Sequence, residues 1–470
     1  MIHRRLSEWL TKAWDGGSWE QLKPFYSKAI RIAWPAALEG VLISVINSVD
    51  TMMVGTISPA AIAAVGLTAQ PRMMMLVLSQ SLNIGTTAII ARRKGAGDGA
   101  GVRSCLEQAM YISALIGLLT SLTGFFLAEP FMLLAGARPD TLGMSVTYFQ
   151  IISLGFIPNS IHLCVCAAFR GLGRTRMTMV THLLSNIVNL VFNYLLIGGM
   201  LGFPRLGVTG AAIATLIGTL VAFMVSLWFA ARADSPFHYR LRKPAFDRKT
   251  LKGLLKVGGS SVSEAGFLRI GFLITNRIIA SLGTVAFAAF HIVTQVSSLS
   301  FTLGDGISAA GVAMVGQSLG EGNEKKARLY IAATRHISIL VSAALMTLLF
   351  FFRRDLAALF TVDEALIAAA SAGFLVVIPA MMPQNGRVVY AGCLRGAGDV
   401  RYVAFTSFIG VGILRPLLTY LFCFPLAPMY PALQLIATGP WFAFLIDALV
   451  RNRLLAERVR SGRWAKIALH

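Results

Sequence analysis

The stretch Arg170–Arg176, RGLGRTR, has the spacing R-G-x-G-x-x-R, and the stretch Arg395–Arg401, RGAGDVR, has it again. We call the shift in numbering from position 170 to position 395 the repeat offset. The same offset, without a gap, pairs further polar, glycine and proline positions: Glu39 with Glu264, Gln70 with Gln295, Gly95 with Gly320, Arg103 with Arg328 and Pro158 with Pro383. One offset matching so many such positions indicates that the chain is a duplicated unit.

The composition is that of a membrane protein. Of 470 residues, 56% are hydrophobic and 13% are charged, whereas soluble domains are about half apolar and about a quarter charged. The formal net charge is +21. On a soluble protein this balance would suggest nucleic acid, but membrane proteins concentrate Lys and Arg in their cytoplasmic loops. No nucleic-acid partner is therefore predicted.

Twelve segments are long and apolar enough to be membrane spans, each of which needs about 20 residues. The segments are 28–54, 61–91, 103–127, 141–168, 175–199, 208–231, 251–281, 286–317, 327–352, 365–393, 400–424 and 428–450. Basic residues cluster before the first segment, in every second loop and after the last segment, while the other loops carry few. Both termini are therefore predicted to be cytoplasmic.

These features predict an all-α polytopic membrane protein with twelve transmembrane helices. Because each repeat has six spans, an even number, the two six-helix lobes should be related by an axis along the membrane normal. The predicted organisation is a cytoplasmic N-terminal segment (1–27), an N-lobe (28–231), a cytoplasmic linker (232–250), a C-lobe (251–450) and a basic cytoplasmic tail (451–470). Within the N-terminal segment, residues 6–13 suit either a short helix on the membrane surface or a loosely ordered tail.

The repeated RGxG stretch falls after the fourth span of each repeat. Its glycines allow a tight reversal, and its arginines can hold the turn on the cytoplasmic side and meet lipid phosphates. A nucleotide-binding loop is not supported, because the pattern G-x-x-x-x-G-K-[ST] is missing and no strand precedes the turn.

Several motifs, taken in order, resemble the multidrug and toxic compound extrusion (MATE) family of secondary transporters. They are VDTMMVG (49–55), the paired ends GAGD (95–98) and GEGN (320–323), the two R-G-x-G turns, Asn189 with Asn193 followed by GVTGAAIAT (207–215), and SLGTVAFAAFHIVTQV (281–296). The resemblance implies an antiporter that exports cationic or amphipathic compounds through a central cleft as H⁺ or Na⁺ enters. It also maps an N-lobe cation site onto Asp50, Asn189, Asn193 and Thr215.

The residues themselves support this mapping in part. A carboxylate inside the bilayer costs about 2.5–3.5 kcal/mol on insertion scales, so Asp50 is a functional candidate. Asn189 and Asn193 share one helix face. Carboxylate, amide and hydroxyl oxygens suit Na⁺ or a proton held on the carboxylate. The asparagines equally suit interhelical hydrogen bonds, and Thr215 suits helix packing.

In the C-lobe, Glu264 and Arg415 lie at similar depths, and we expect them to pair, either as a functional group or as a structural ion pair. Gln384 takes a position where some family members carry a carboxylate. The other candidates to line the cleft are Glu39, Gln70, Gln295 and Gln384. Four inner arginines can either snorkel or line the cleft, and these are Arg72, Arg269, Arg277 and Arg387.

The alternative function is that of a flippase for lipid-linked saccharides from the same superfamily, which a cleft ringed by arginine would favour. No nucleophile–base pair or metal cluster supports an enzyme. We expect no cofactor beyond the coupling ion, with small organic cations or amphipathic drugs and membrane lipids as partners. The chain is predicted to act as a monomer in the bacterial inner membrane.

The predicted orientation can be tested by labelling single cysteines from outside whole cells. A cysteine at position 240 should stay unlabelled, because the basic linker is expected on the cytoplasmic side. Strong labelling there would overturn the orientation.

Overall fold

A computed structural model of the protein describes residues 19–232, 235, 237, 247–361 and 363–467. Positions 1–18 of the predicted N-terminal segment and most of the predicted linker lie outside the described residues. The described chain is helical. Its fifteen α-helices are α1 (Trp19–Gly55), α2 (Pro59–Gly95), α3 (Gly99–Phe126), α4 (Ala128–Leu134), α5 (Pro139–Leu154), α6 (Phe156–Gly171), α7 (Thr175–Gly198), α8 (Gly207–Ala231), α9 (Arg248–Ala280), α10 (Thr284–Gly320), α11 (Glu324–Ala358), α12 (Glu364–Ala397), α13 (Val400–Ser407), α14 (Arg415–Cys423) and α15 (Leu435–Arg460).

The helices account for the predicted spans. In the described chain nine helical segments are long and apolar enough to cross a membrane, and α5 with α6 form a tenth as a pair bent by 51°. The two remaining predicted spans coincide with α9 and α15, whose charged residues lower their mean hydropathy. The prediction of an all-α polytopic membrane protein is confirmed.

The eleventh predicted span is interrupted in a way that the hydropathy pattern does not indicate. Between α13 and α14 the backbone forms a π-helix, Phe408–Leu414, and the N–H of Arg415 donates to the carbonyl of Gly410, five residues back. The next residue, Pro416, has no N–H to continue the α-helical pattern. A π-helical turn is the usual way to absorb such a break inside a long helix.

By its contacts the chain divides into two compact units. Unit N is Leu38–Gly259. Unit C comprises the residues up to Ala37 and the chain from Ser260 onward. The divisions therefore fall inside α1 and α9, whereas the predicted lobes follow whole helices. The predicted lobe boundaries stay a prediction.

Each unit has its own apolar interior, spread over two clusters of buried side chains. In unit N one cluster joins α2, α3 and α6, and the other joins α5, α6 and α8. In unit C one cluster gathers α10, α11 and α12 with the first part of α1, and the other gathers α10, α12 and α15. Lipid is as apolar as these side chains, so close van der Waals packing and interhelical hydrogen bonds hold the helices together.

The first glycine of each RGxG turn lies where two helices meet. A Cβ on Gly171 would lie 2.6 Å from the carbonyl oxygen of Thr87 on α2. A Cβ on Gly396 would clash in the same way with the carbonyl oxygen of Val312 on α10. The repeat offset carries Thr87 onto Val312, so both repeats use the same contact. The R-G pair is thus a packing feature, since only glycine allows backbones to approach this closely.

The second glycine of each turn reverses the chain. Gly173 has φ +75° and Gly398 has φ +92°. These lie in the left-handed region, which glycine adopts at no steric cost. The predicted tight reversal is therefore present in both repeats.

The end of the linker is held by polar contacts in unit N. Arg93 donates to the carbonyl of Gly101 at 2.7 Å and to the hydroxyl of Thr250 at 2.5 Å, and it lies 3.6 Å from Asp247. The Asp247 carboxylate accepts from the Thr250 hydroxyl and from the backbone N–H of Lys249, at the start of α9. These hydrogen bonds hold the pKa of Asp247 below its ordinary value. Asp247 thus stays ionised at the N-terminus of a helix, where a negative charge is favourable.

Replacing the helix-contact glycines should destabilise the protein. Gly171→Ala and Gly396→Ala each place a methyl group against a carbonyl oxygen, and we expect each to cost about 1–3 kcal/mol. The measurement is thermal unfolding of the purified protein in detergent. Gly66→Ala and Gly266→Ala are matched controls, because a Cβ at either position meets nothing within 4 Å. Equal unfolding temperatures for all four variants would contradict the packing role.

Candidate functional site

The four residues mapped onto the N-lobe site come together in unit N. Asp50 lies on α1, Asn189 and Asn193 on α7, and Thr215 on α8. The amide of Asn193 donates to Oδ1 of Asp50 at 2.7 Å. With its amide turned to satisfy its neighbours, Asn189 donates to both oxygens of Asp50 at 3.1 and 3.0 Å and accepts from the backbone N–H of Thr215 at 3.2 Å. Two neutral amides therefore hold the carboxylate.

The surroundings of this group leave one oxygen available. Among the described residues, Oδ1 of Asn193 is buried and has no hydrogen-bond partner. The hydroxyl of Thr215 donates to the carbonyl of Ala211 at 2.9 Å, so its lone pairs remain as acceptors. Tyr148 is buried within reach of Thr215, and Arg72 is close enough to act electrostatically on Asp50.

Chemically this group can take up a small cation. Its carboxylate, amide and hydroxyl oxygens form a set that suits a hard ion such as Na⁺. The carboxylate alone can take a proton. The geometry thus assembles the predicted site, and its role stays a prediction.

A second acidic group in unit N involves the opening motif. Glu39, which is 5% exposed, accepts from Arg170 at 2.6 Å and from the Thr178 hydroxyl at 2.8 Å. His182 lies 3.4 Å from the same carboxylate. The first arginine of RGLGRTR is thus bound to an acid on α1. Glu39 is enclosed by these partners, as a buried carboxylate requires, and its place in the cleft stays a prediction.

His182 also belongs to a group with metal-ligating atoms. The donor atoms of His162, Cys166 and His182 lie within 4.8 Å of one another. The rings of His162 and His182 pack edge to face, and Cys166 lies 3.6 Å from Nδ1 of His162. Imidazole and thiolate are ligands that Zn²⁺ favours. Among the described residues this is the group whose donor types and spacing suit a transition-metal ion such as Zn²⁺.

The predicted pair of Glu264 with Arg415 is wrong. Glu264 accepts from Arg395 at 2.7 Å and from the Ser407 hydroxyl at 3.1 Å. This pair repeats Glu39 with Arg170, since the repeat offset carries each member of one pair onto the other. Similar depth in the membrane does not determine which face of a helix a side chain occupies. The sequence feature that indicates the pair of Glu264 with Arg395 is the repeat offset, which relates both of its residues to Glu39 and Arg170.

Arg415 instead pairs with an acid that was not predicted as its partner. Asp447 on α15 accepts from Arg415 at 2.5 Å and from Arg451 at 2.6 and 2.5 Å. Asp447 is fully buried and both arginines nearly so. Asp447 and Arg451 are spaced i,i+4, the pattern of neighbours on one helix face. That spacing is the sequence feature that indicates the pair of Asp447 with Arg451.

The glutamine candidates lie in different settings. Gln70 lines a cavity of about 590 Å³ in unit N, together with Arg138 and Asp140. Gln295 is exposed. Gln384 is buried and accepts from Nε of Arg387 at 3.1 Å.

The fold and these groups define a polytopic helical membrane protein with two structurally repeated units and ionisable side chains inside its spans. The family model MatE matches residues 35–195 and 267–421, one stretch in each repeat. The chain therefore belongs to the MatE family, the multidrug and toxic compound extrusion transporters. Members of this family are transporters and not enzymes.

Known proteins agree with this assignment. The chain is 30% identical over 399 residues to the multidrug resistance protein PmpM of Pseudomonas aeruginosa, with 82% of each chain covered. It is 28% identical over 455 residues to the probable multidrug resistance protein NorM of Thermotoga maritima, covering 96% of this chain and 95% of the relative. Its fold is similar to the outward-facing structure of a multidrug resistance MATE family transporter of the MOP superfamily, with a TM-score of 0.85 and 21% identity over 94% of this chain and 97% of the other.

A double-mutant cycle can test the corrected pairing. Arg395→Met leaves Glu264 buried without its cation and should cost about 3–5 kcal/mol. Combining it with Glu264→Gln should cost less than the sum, with a coupling of about 0.5–3 kcal/mol in the free energy of unfolding. The matched cycle of Glu264→Gln with Arg415→Met should show the smaller coupling. A larger coupling in that second cycle would support the pair that we reject.

Proposed function

We propose that this transporter is a secondary active antiporter, which exports cationic or amphipathic organic compounds as H⁺ or Na⁺ binds at Asp50 and moves inward. The observation that carries the proposal is a carboxylate inside a span, held by two neutral amides beside an unpartnered amide oxygen. Its relatives' names, which describe multidrug resistance proteins, support drugs as the substrates.

The ionised form of Asp50 has hydrogen-bond donors but no guanidinium bonded to it among the described residues. Asn189 and Asn193 offset part of the cost of a carboxylate at this depth. The remaining cost favours uptake of a cation. A proton would neutralise the carboxylate outright, and Na⁺ would sit among the oxygens of Asp50, Asn193 and Thr215.

Uptake of the cation changes the contact between α1 and α7. A charge-assisted hydrogen bond is about twice as strong as a neutral one. Neutralising Asp50 weakens the bond from Asn193, and the freed amide can reorient. Cation binding thereby biases unit N between two packings, which is what coupling requires, because a ligand shifts an equilibrium only through its different affinity for the two states.

The driving force is sufficient with either ion. One charge moving through 100 mV supplies about 2.3 kcal/mol. At about 1.4 kcal/mol per tenfold, this supports roughly a 40-fold gradient of an exported compound that carries no net charge.

The flippase of lipid-linked saccharides is the second candidate function. The observation that favours it is the set of arginines inside unit C, at Arg387, Arg415 and Arg451. Against it, two of these arginines are bound to Asp447, which offsets one of their two positive charges. We therefore place the exporter first, acting as a monomer in the bacterial inner membrane with both termini cytoplasmic.

The test is Asp50→Asn in proteoliposomes with an H⁺ or a Na⁺ gradient imposed separately. The variant should fold, because asparagine keeps the shape of the side chain, but it should lose gradient-driven export with either ion. Asp355→Asn, at an exposed aspartate near the end of α11, is the matched control and should transport normally. Full transport by Asp50→Asn with both gradients would rule out Asp50 as the coupling residue.

A further inference from the structure

Arg387 lies inside a span without an acidic partner. It is on α12, almost three turns before that helix ends at Ala397, or about 15 Å at 1.5 Å per residue. Its Nε donates to Gln384 at 3.1 Å. Among the described residues no carboxylate forms an ion pair with it, although an unpaired charge at this depth is costly.

Arg387 and the charged groups around it include one more arginine than acids. The charges that act on Arg387 are those of Arg451, Arg415, Arg395, Asp447, Glu264 and Asp305. Two of these acids are already engaged, since Glu264 is bonded to Arg395 and Asp447 is shared by Arg415 and Arg451. The group as a whole therefore keeps one excess positive charge, and the guanidinium of Arg387, with two amino groups left to donate, is the place where an anion can meet it.

One acid near this cluster is uncommitted. Asp305 on α10 is exposed, forms no hydrogen bond to another described residue, and is electrostatically coupled to Arg387 and Arg395. The Arg387 side chain is itself partly exposed. Charged groups at mid-span are not presented to lipid, because hydrocarbon cannot solvate them. Both side chains therefore require water or a polar ligand as their surroundings in place of lipid.

This arrangement belongs to one repeat only. At the repeat offset, Arg387 corresponds to His162, Arg415 to Leu190, Asp447 to Ala222 and Arg451 to Ser226. The Glu264–Arg395 pair does have its counterpart, Glu39–Arg170. What both repeats retain serves the shared fold, so the cationic cluster that only the second repeat has gained is a candidate for a specific task.

We propose that Arg387 and Gln384 form an oxyanion subsite in unit C, which binds the carboxylate or phosphate group of an amphipathic ligand, while Asp305 receives a cationic group of the same ligand. Arg387 donates from its two amino groups, the bidentate geometry that guanidinium favours for oxyanions. The inference rests on the proposed export function and assigns residues to the two charged groups of a zwitterionic substrate.

Equilibrium binding of two dyes to the purified full chain in detergent tests the subsite. Rhodamine 110 carries a free carboxylate, and rhodamine 123 is its methyl ester with the same cationic ring system. Arg387→Met should weaken binding of rhodamine 110 about tenfold, the equivalent of one charge-assisted hydrogen bond. It should leave binding of rhodamine 123 within about twofold. Arg387→Lys keeps the charge and should restore part of the loss.

Arg401→Met is the matched control, because this arginine lies exposed in the same unit at the start of α13. It should bind both dyes like the wild type. Equal losses for both dyes in Arg387→Met would overturn the subsite. If that variant does not fold, the wild type decides alone: rhodamine 110 should bind at least as tightly as its ester, and a tenfold preference for the ester would overturn the proposal.

A second arm separates an exported compound from a lipid headgroup. Native mass spectrometry can count phosphatidylglycerol molecules retained by wild type and by Arg387→Met. Unchanged lipid retention with selective loss of rhodamine 110 supports binding of a substrate carboxylate. Arg387-dependent lipid retention with unchanged dye binding assigns the oxyanion to a lipid phosphate and overturns the assignment of Arg387 to a substrate carboxylate. Binding at equilibrium involves no ion gradient, so its outcome is independent of whether rhodamine 123 is exported through coupling at Asp50.

Discussion

A charged side chain placed inside the membrane must be provided with partners, and much of this structure follows from that requirement. Glu39 and Glu264 lie on the first helix of their repeats, and each is bound by the first arginine of an RGxG turn. The ion pair connects the first helix of a repeat to the end of its fourth span. The next residue of the motif, Gly171 or Gly396, brings that span against a neighbouring helix. Arginine and glycine are adjacent because the ion pair and the close helix contact occur at the same place.

The fold can be predicted from the sequence because the sequence features that indicate it are local or periodic. Length and hydropathy locate spans, and a fixed offset reveals a repeat without reference to geometry. The interruption at Phe408–Leu414 was not accessible in this way, because apolar residues fill it as they fill a regular helix. Pro416 was the available sign, since proline removes one backbone donor.

The ion pairs and hydrogen bonds between side chains inside the membrane can be predicted from the sequence only in part. Asp50, Asn189 and Asn193 were grouped through the family resemblance and the i,i+4 spacing, and the structure brings them together. Glu264 was assigned the wrong arginine because depth along a helix axis was considered and rotation about that axis was not. The repeat itself contained the missing information, since an ion pair in one copy predicts its counterpart in the other.

The kind of partner decides which acid can exchange a cation. Glu39, Glu264 and Asp447 are each bound by a guanidinium, which stays charged at any working pH, so protonating these acids would leave an arginine inside the protein without its partner. Asp50 is bound by amides, which are neutral and can accept as well as donate. Gain of a proton there leaves no orphaned charge, and an amide can turn to meet the new O–H. The repeat offset carries Asp50 onto Thr275, Asn189 onto Leu414 and Asn193 onto Leu418. The repeats thus share the glutamate–arginine pairs and differ at Asp50, whose amide neighbours allow it to change its charge, which is the property a coupling site needs.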